Sequence, residues 1–150
     1  MRRGAFPGAR KPRSYAAKSI TLTGPDGVEH RFASRAEAAY VVSLWLDPEA
    51  RVVELQPRYD IHVPGRLGGI PVKVGSYRAD VAWIHVPTDT LHVDDVKGWM
   101  AEGTRDAVQL RLRCVAAEHG IEVRLVKPMT PKAVDRAIAL WTAGLCRRAA

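Results

Sequence analysis

Long apolar runs are missing from this 150-residue chain. No segment approaches the roughly 20 consecutive apolar residues that a membrane-spanning helix needs. Arginines stand near the N-terminus, but no apolar stretch follows them as a secretory signal requires. Cysteine is scarce: Cys114 and Cys146 are the whole complement, far apart and without a CxxC partner or a histidine at zinc spacing. That argues against structural zinc and leaves buried free thiols in a reducing compartment, with the cytoplasm as the expected location. No internal repeat is visible. Acidic residues are the other shortage, 16 Asp and Glu against 23 Lys and Arg, giving a formal charge of +7. Such an excess favours a polyanionic partner, and nucleic acid ranks ahead of a membrane surface. The apolar share of 47% and charged share of 26% suit one soluble domain with a single core.

Residues 1–17 combine Arg2, Arg3, Arg10, Lys11 and Arg13 with Gly and Pro and show no periodicity. They read as a flexible basic arm, either a solvated tail or a phosphate-contacting segment. Residues 18–146 read as one domain and 147–150 as a basic tail. Within the domain, "GPDG" between two β-prone runs predicts a hairpin. "ASRAEAAYVVSLWLD" predicts a helix capped by Ser34 and ended by Pro48. "RVVELQPRYDIHV" predicts two extended pieces broken at Pro57. "VKVGSYRADVAWIHV" and "LHVDDVKG", joined by "PTDT", predict an antiparallel pair. A helix from about Thr104 to His119 follows, closed by Gly120, then the strand "IEVRLVKP". A last helix has Thr130 at its N-cap and Pro131 at its first position. This order predicts an α/β (α+β) domain, a mixed sheet flanked by helices.

The chemistry concentrates in "LHVDDVKG". Side chains alternate along a strand, so Asp95 and Lys97 share one face while Asp94 points to the other with Val96. Asp94 is expected to meet backbone or surface there. Asp80, in "YRADVAWI" on the partner strand, can lie close to Asp95. Two such carboxylates repel unless compensated, and a divalent cation with oxygen ligands is the usual compensation. The plainer alternative has Asp80 ending a strand or pairing with Arg78, and Lys97 simply bridging to Asp95. Glu37 completes a capping box with Ser34 and also falls on the helix stripe of Tyr40, Val41 and Leu44, so capping and a site role can coexist.

A glutamate on the first helix, an aspartate on a strand and D-x-K on the next strand resemble the PD-(D/E)XK nuclease superfamily. The blocks "RFASRAEAAY", "ELQPRYDI", "YRADVAWI" and "VDDVKG" look, in order, like those of a small phage and prophage family of nuclease-like proteins. The layout is also similar to Holliday-junction resolvases and to the endonuclease subunit of some transposition systems. Two departures stand out: Ala79 precedes Asp80 where proline is common, and Asp95 replaces glutamate. The resemblance implies a restriction-endonuclease-like fold. It also implies a Mg²⁺-dependent DNA endonuclease, with Mn²⁺ able to substitute. Asp80, Asp95 and the Val96 carbonyl would bind metal, Glu37 would complete the cluster or hold a second ion, and Lys97 would orient water or stabilise developing charge.

The expected substrate is DNA, foremost a branched or four-way junction cut by a homodimer in the cytoplasm, the host's if the chain is phage-encoded. The alternatives are a nuclease for linear or single-stranded DNA within a phage or transposition complex, and a non-catalytic basic DNA-binding module. Gln56, Arg105, Arg111 and the basic arm are the candidate DNA contacts, and Arg113 shares the helix. Gln56 has a plainer reading as a strand-end amide bonding backbone. His62, His85 and His92 lack ligand spacing and read as structural or surface groups. Trp83 and Trp99 read first as core.

Overall fold

Ser34 and Glu37 start the first helix by exchanging hydrogen bonds with the chain at its entry. Ser34 Oγ accepts from the Glu37 amide at 3.1 Å, and a Glu37 carboxylate oxygen accepts from the Ala33 amide at 3.1 Å. The Ser34 bond is the one the sequence predicts, while Glu37 reaches one residue past the expected N-cap amide, to Ala33. The structure is a computed structural model that describes residues 18–98 and 100–148, with side chains described through Gly144. The basic arm and Trp99 therefore lie outside the described residues.

The elements in order are β1 (Ile20–Thr23), β2 (Glu29–Phe32), α1 (Arg35–Leu46), β3 (Ala50–Leu55), β4 (Arg58–Val63), β5 (Val72–Arg78), β6 (Val81–His85), β7 (Thr90–Val96), α2 (Glu102–His119), β8 (Val123–Val126) and α3 (Pro131–Arg148). The central sheet has the strand order β3-β6-β7-β8. Its first three strands are antiparallel and β8 runs parallel to β7. A parallel pair needs a crossover, and α2 supplies it. The predicted mixed sheet flanked by helices is what forms.

Each face of the sheet is covered differently. On one side α1 and α3 pack with the β1–β2 hairpin, burying Phe32, Val41, Val42, Val81, Val134 and Trp141. Ala38 and Ala39 of α1 are fully buried, and their short side chains let the helix approach closely. Burial of each Val contributes about 1.5–3 kcal/mol. Trp141 adds a hydrogen bond from its indole N–H to the Thr23 carbonyl at 2.8 Å. On the other side α2 and the β4–β5 pair cover a smaller cluster of Ile61, Tyr77, Ala79, Ala82, Val93 and Val115. Val115 is the one α2 residue fully withdrawn from solvent.

One difference from the sequence reading matters for function. The run from Val72 to His85, expected as one strand, breaks at Ala79–Asp80 into β5 and β6. The cause is across the ladder, where Pro57 cannot donate and Gln56 takes a left-handed backbone with φ 55°. Two bonds carry the pairing through the break, Gln56 N–H to the Asp80 carbonyl at 2.9 Å and Ala79 N–H to the Pro57 carbonyl at 3.0 Å. β3–β4 and β5–β6 thus form one long bent ribbon, with Asp80 at the bend. Smaller differences lie at helix ends: α2 begins at Glu102, and α3 continues through Arg147 and Arg148, which were expected in a tail. Gly120 ends α2 with φ 67°, as its position predicts.

Candidate active site

β7 carries its two aspartates to opposite faces of the sheet, and both are completely buried. Asp80 stands across from Asp95: Val81 pairs with Asp94 in the β6–β7 register, and the Asp80 amide donates to the Asp94 carbonyl at 2.9 Å. Strand parity then places the Asp80 and Asp95 side chains on the same face. Asp95 meets the Tyr77 hydroxyl, which donates to one of its oxygens, while Lys97 Nζ lies 3.0 Å from the other. That ion pair is close but poorly aligned, and Asp95 Oδ1 accepts no well-directed hydrogen bond. A buried carboxylate oxygen left in this state still has lone-pair capacity to fill.

Asp80 accepts from the Val96 amide at 2.6 Å. Its carboxyl is nonetheless pushed up to about 7, first by burial, then by the charge of Glu37, with Asp95 adding to the repulsion. Only the Val96 amide pulls the other way. The first turn of α1 thus reaches the end of the sheet, where Glu37 keeps its capping bond and lends its charge to the cluster. Of the residues singled out from the sequence, Asp80 faces Asp95 where β6 and β7 meet, Lys97 pairs with Asp95, and the charge of Glu37 is felt at Asp80. The desolvated repulsion among them is the kind a hard divalent cation relieves with oxygen ligands. Among the described residues, no group of three or more His, Cys, Asp or Glu side chains is arranged to hold a metal ion. Asp80 and Asp95 are each turned onto a protein donor instead.

Asp94 corrects its expectation. It is neither a surface group nor a backbone partner, but the most heavily satisfied side chain in the sheet. Its oxygens accept from the Tyr40 hydroxyl at 2.7 Å, the Trp83 indole at 2.6 Å, and Arg124 Nε and Nη2 at 2.6 and 2.8 Å. Burial pushes its pKa up, but the bonds from Arg124, Trp83 and Tyr40 outweigh it and hold the carboxyl below its ordinary value. Burial and the Asp94 contact push the Tyr40 phenol well above its own. Trp83 therefore packs and donates at once.

Gln56 takes its plainer reading, donating from Nε2 to the Arg31 carbonyl at 3.1 Å and tying the β1–β2 hairpin to the ribbon bend. Arg105, Arg111 and Arg113 are exposed along α2. Of these, Arg111 makes its charge felt at the Tyr77 hydroxyl, beside Asp95. Burial first, then Asp95, raises that phenol far above its usual range. The histidines do structural work: His62 pairs with Glu118 at 2.5 Å, His85 meets Thr88 at 2.7 Å, and His92 stacks on Trp83. Cys114 is a free thiol. No helix among the described residues is long and apolar enough to cross a membrane.

Sequence reading missed Tyr77, Tyr40 and Arg124 as members of this region. Arg124 could be found only from the parallel register that sets it beside Asp94. Tyr77 carries no local signal, because the ribbon bend is what delivers its hydroxyl to Asp95. No family model, curated protein or solved structure matches the chain.

Proposed function

We propose that the protein is a metal-dependent DNA endonuclease that hydrolyses phosphodiester bonds. The observation that carries the reading is the convergence of Glu37, Asp80 and Asp95 beside Lys97, with Asp80 raised to about 7 by burial and like charge. A purely structural ion pair has no need of a second and third carboxylate. The element order α1, β3, β6, β7, α2, β8, with the last strand parallel, is compatible with the restriction-endonuclease-like fold the motif implies.

Asp80, Asp95 and the Val96 carbonyl would hold Mg²⁺ or Mn²⁺, with Glu37 supporting the cluster. The ion's chemistry is to polarise the phosphodiester and lower the pKa of its water. The chain's own contributions are separable. Asp95 offers a buried oxygen with unfilled lone-pair capacity. Lys97, 37% exposed and 3.0 Å from Asp95, sits at the border between buried carboxylate and solvent. From there its ammonium can orient a water or meet charge growing on phosphate. Arg111 on α2 and the chain's excess of +7 supply attraction for the backbone of the substrate.

Within this class we favour a structure-selective enzyme acting on four-way junctions as a homodimer. The supports are the net charge of +7 and the cluster of Arg2, Arg3, Arg10, Lys11 and Arg13 within residues 1–17. A second reading, a DNA-binding module without catalysis, has one observation behind it: Asp80 and Asp95 are both engaged by protein donors. A cleavage assay on labelled four-way junctions and matched linear duplexes, with Mg²⁺, Mn²⁺ or EDTA, separates them. Metal-dependent cutting of junctions in preference to duplexes is expected. Equal cutting of both removes junction selectivity, and salt-sensitive binding with no cutting in either metal leaves the binding module.

A further inference from the structure

The β4–β5 ribbon leaves the carboxylate cluster at Arg58 and Arg78 and ends in the loop "PGRLGGIP" at residues 64–71. Its tip has the opposite of ordinary loop chemistry. Leu67 is 105% exposed and Ile70 87%, with Val63, Val72 and Val74 exposed behind them. Leu67 holds a left-handed backbone, φ 53°, which a branched apolar residue rarely adopts. The loop is tightly built to hold it there. A Cβ on Gly65 would meet the Ile70 carbonyl at 2.5 Å, and Gly68 has φ 79°. Pro64 and Pro71 flank the turn. Two large apolar side chains are thus presented to water from a constrained hairpin tip.

The ribbon that carries the tip has an excess of cations. Residues 57–79 contain Arg58, Arg66, Lys73 and Arg78 against the carboxylate of Asp60, and Glu118 of α2 adds a second by accepting from the His62 amide at 2.9 Å. Asp60 is already paired, with Lys73 at 2.8 Å and Arg58 at 3.7 Å. Two copies docking ribbon to ribbon would set like charge against like, which disfavours self-association. A polyanion with an accessible apolar interior is the better match. Duplex DNA opened at a base step has both features, since leucine and isoleucine wedges insert between bases while cations hold the flanking phosphates.

We propose that Leu67 and Ile70 form a wedge that enters DNA at an unstacked base step, such as the branch point of a junction, while the ribbon's cations grip the adjoining backbone. The inference rests on the nuclease reading for its substrate class and deepens it. Six residues of strand from Arg58 to Val63 span roughly 20 Å. The wedge therefore marks a point several base pairs from the carboxylates, and strand opening is cheapest where stacking is already broken.

The test uses the full chain in EDTA, so that binding is read without cutting. A four-way junction carries 2-aminopurine at its branch point, and a linear duplex of matched sequence is the control. Wild-type protein should raise the fluorescence of the junction probe as the base unstacks. The double variant Leu67→Ser with Ile70→Ser should abolish that rise and weaken junction binding about tenfold, while duplex affinity stays within about twofold. Leu67→Gly suits the backbone at that position, keeps the loop intact, and should lose most of the same signal. Unchanged fluorescence and affinity in both variants would overturn the wedge. So would a wild-type dimer that both variants dissociate without altering junction affinity per protomer, which would make the tip a self-contact. Cutting in Mg²⁺ without a fluorescence rise leaves the nuclease and removes the wedge; a fluorescence rise without cutting does the reverse.

Discussion

Asp94 and Asp95 are covalent neighbours, both withdrawn from solvent, and in opposite circumstances. Asp94 receives four directed hydrogen bonds from three side chains and is held below its ordinary pKa. Asp95 receives one phenol and one misaligned ammonium, and it faces Asp80 across the ladder. Burying a carboxylate costs several kcal/mol unless donors replace the lost water. On the Asp94 side replacement is complete, so the group ties β7 to α1, β6 and β8. On the Asp95 side it is incomplete, and that side keeps capacity for a ligand. One strand thereby separates a fully satisfied ion from an incompletely satisfied one.

Replacing each aspartate should produce the largest effects and should sort them onto different measurements. Asp94→Ala strands the Tyr40 hydroxyl and Trp83 indole and leaves Arg124 without its partner. The expected loss is about 3 kcal/mol, toward the low end for a broken buried pair because half of Arg124 reaches solvent. Asp95→Asn should change stability by less than about 1 kcal/mol, since Lys97 can turn to water. It should lower metal-dependent cutting by roughly 10³ or more while DNA binding persists. Urea titration and a cleavage assay on both variants check this. If Asp95→Asn still cuts and Asp94→Asn is folded but dead, the two faces have been exchanged.

A pH profile sharpens the same contrast, because the two faces should titrate in opposite directions. Asp80 has a folded pKa near 7, above the ordinary carboxylate value of 3.8. Its contribution to stability is present below about pH 4 and is lost as pH rises through 7. Asp94 is depressed, so its contribution is present above the ordinary carboxylate range and is lost as pH falls through its folded value. Between pH 5 and 8 the contribution of Asp80 dominates. In EDTA, Tm should fall by roughly 3–8 °C across that window. Asp80→Asn should flatten the decline. Mg²⁺ or Mn²⁺ should recover Tm at pH 8 and do little at pH 5, where protons compete for the oxygens. Differential scanning fluorimetry reads all three. A flat wild-type profile in EDTA would show that Asp80 is not crowded by charge.

Much of this was legible in the residues. Ser34 and Glu37 announced α1, "PTDT" announced the β6–β7 hairpin, and strand parity assigned Asp95 to Lys97 rather than to Asp94. What stayed hidden depends on contacts distant in sequence. Arg124 reaches Asp94 through the β7–β8 register, and no local pattern encodes which strand lies beside which. Tyr77 reaches Asp95 because Pro57 and Gln56 bend the ribbon opposite Ala79 and Asp80, which are distant from them in the chain. Parity told which way Asp94 pointed, but its donors come from α1, β6 and β8 together. Local pattern gave direction; only the assembled sheet gave company.

Glu37 offers the smallest effect and the finest test, because it serves both the fold and the cluster. Its carboxylate caps α1 through the Ala33 amide and also raises Asp80 by its charge. Glu37→Gln keeps an oxygen for the amide and removes the charge. Stability should therefore move by no more than about 0.5 kcal/mol, as capping boxes accept glutamine. The Asp80 titration, read from the Tm–pH profile in EDTA, should shift to lower pH because the Glu37 charge that repels it is gone. Burial and Asp95 remain, so the midpoint should stay above 3.8. A variant that loses stability without moving the midpoint would assign Glu37 to the helix alone, and the cluster would then be the two aspartates facing each other across β6 and β7.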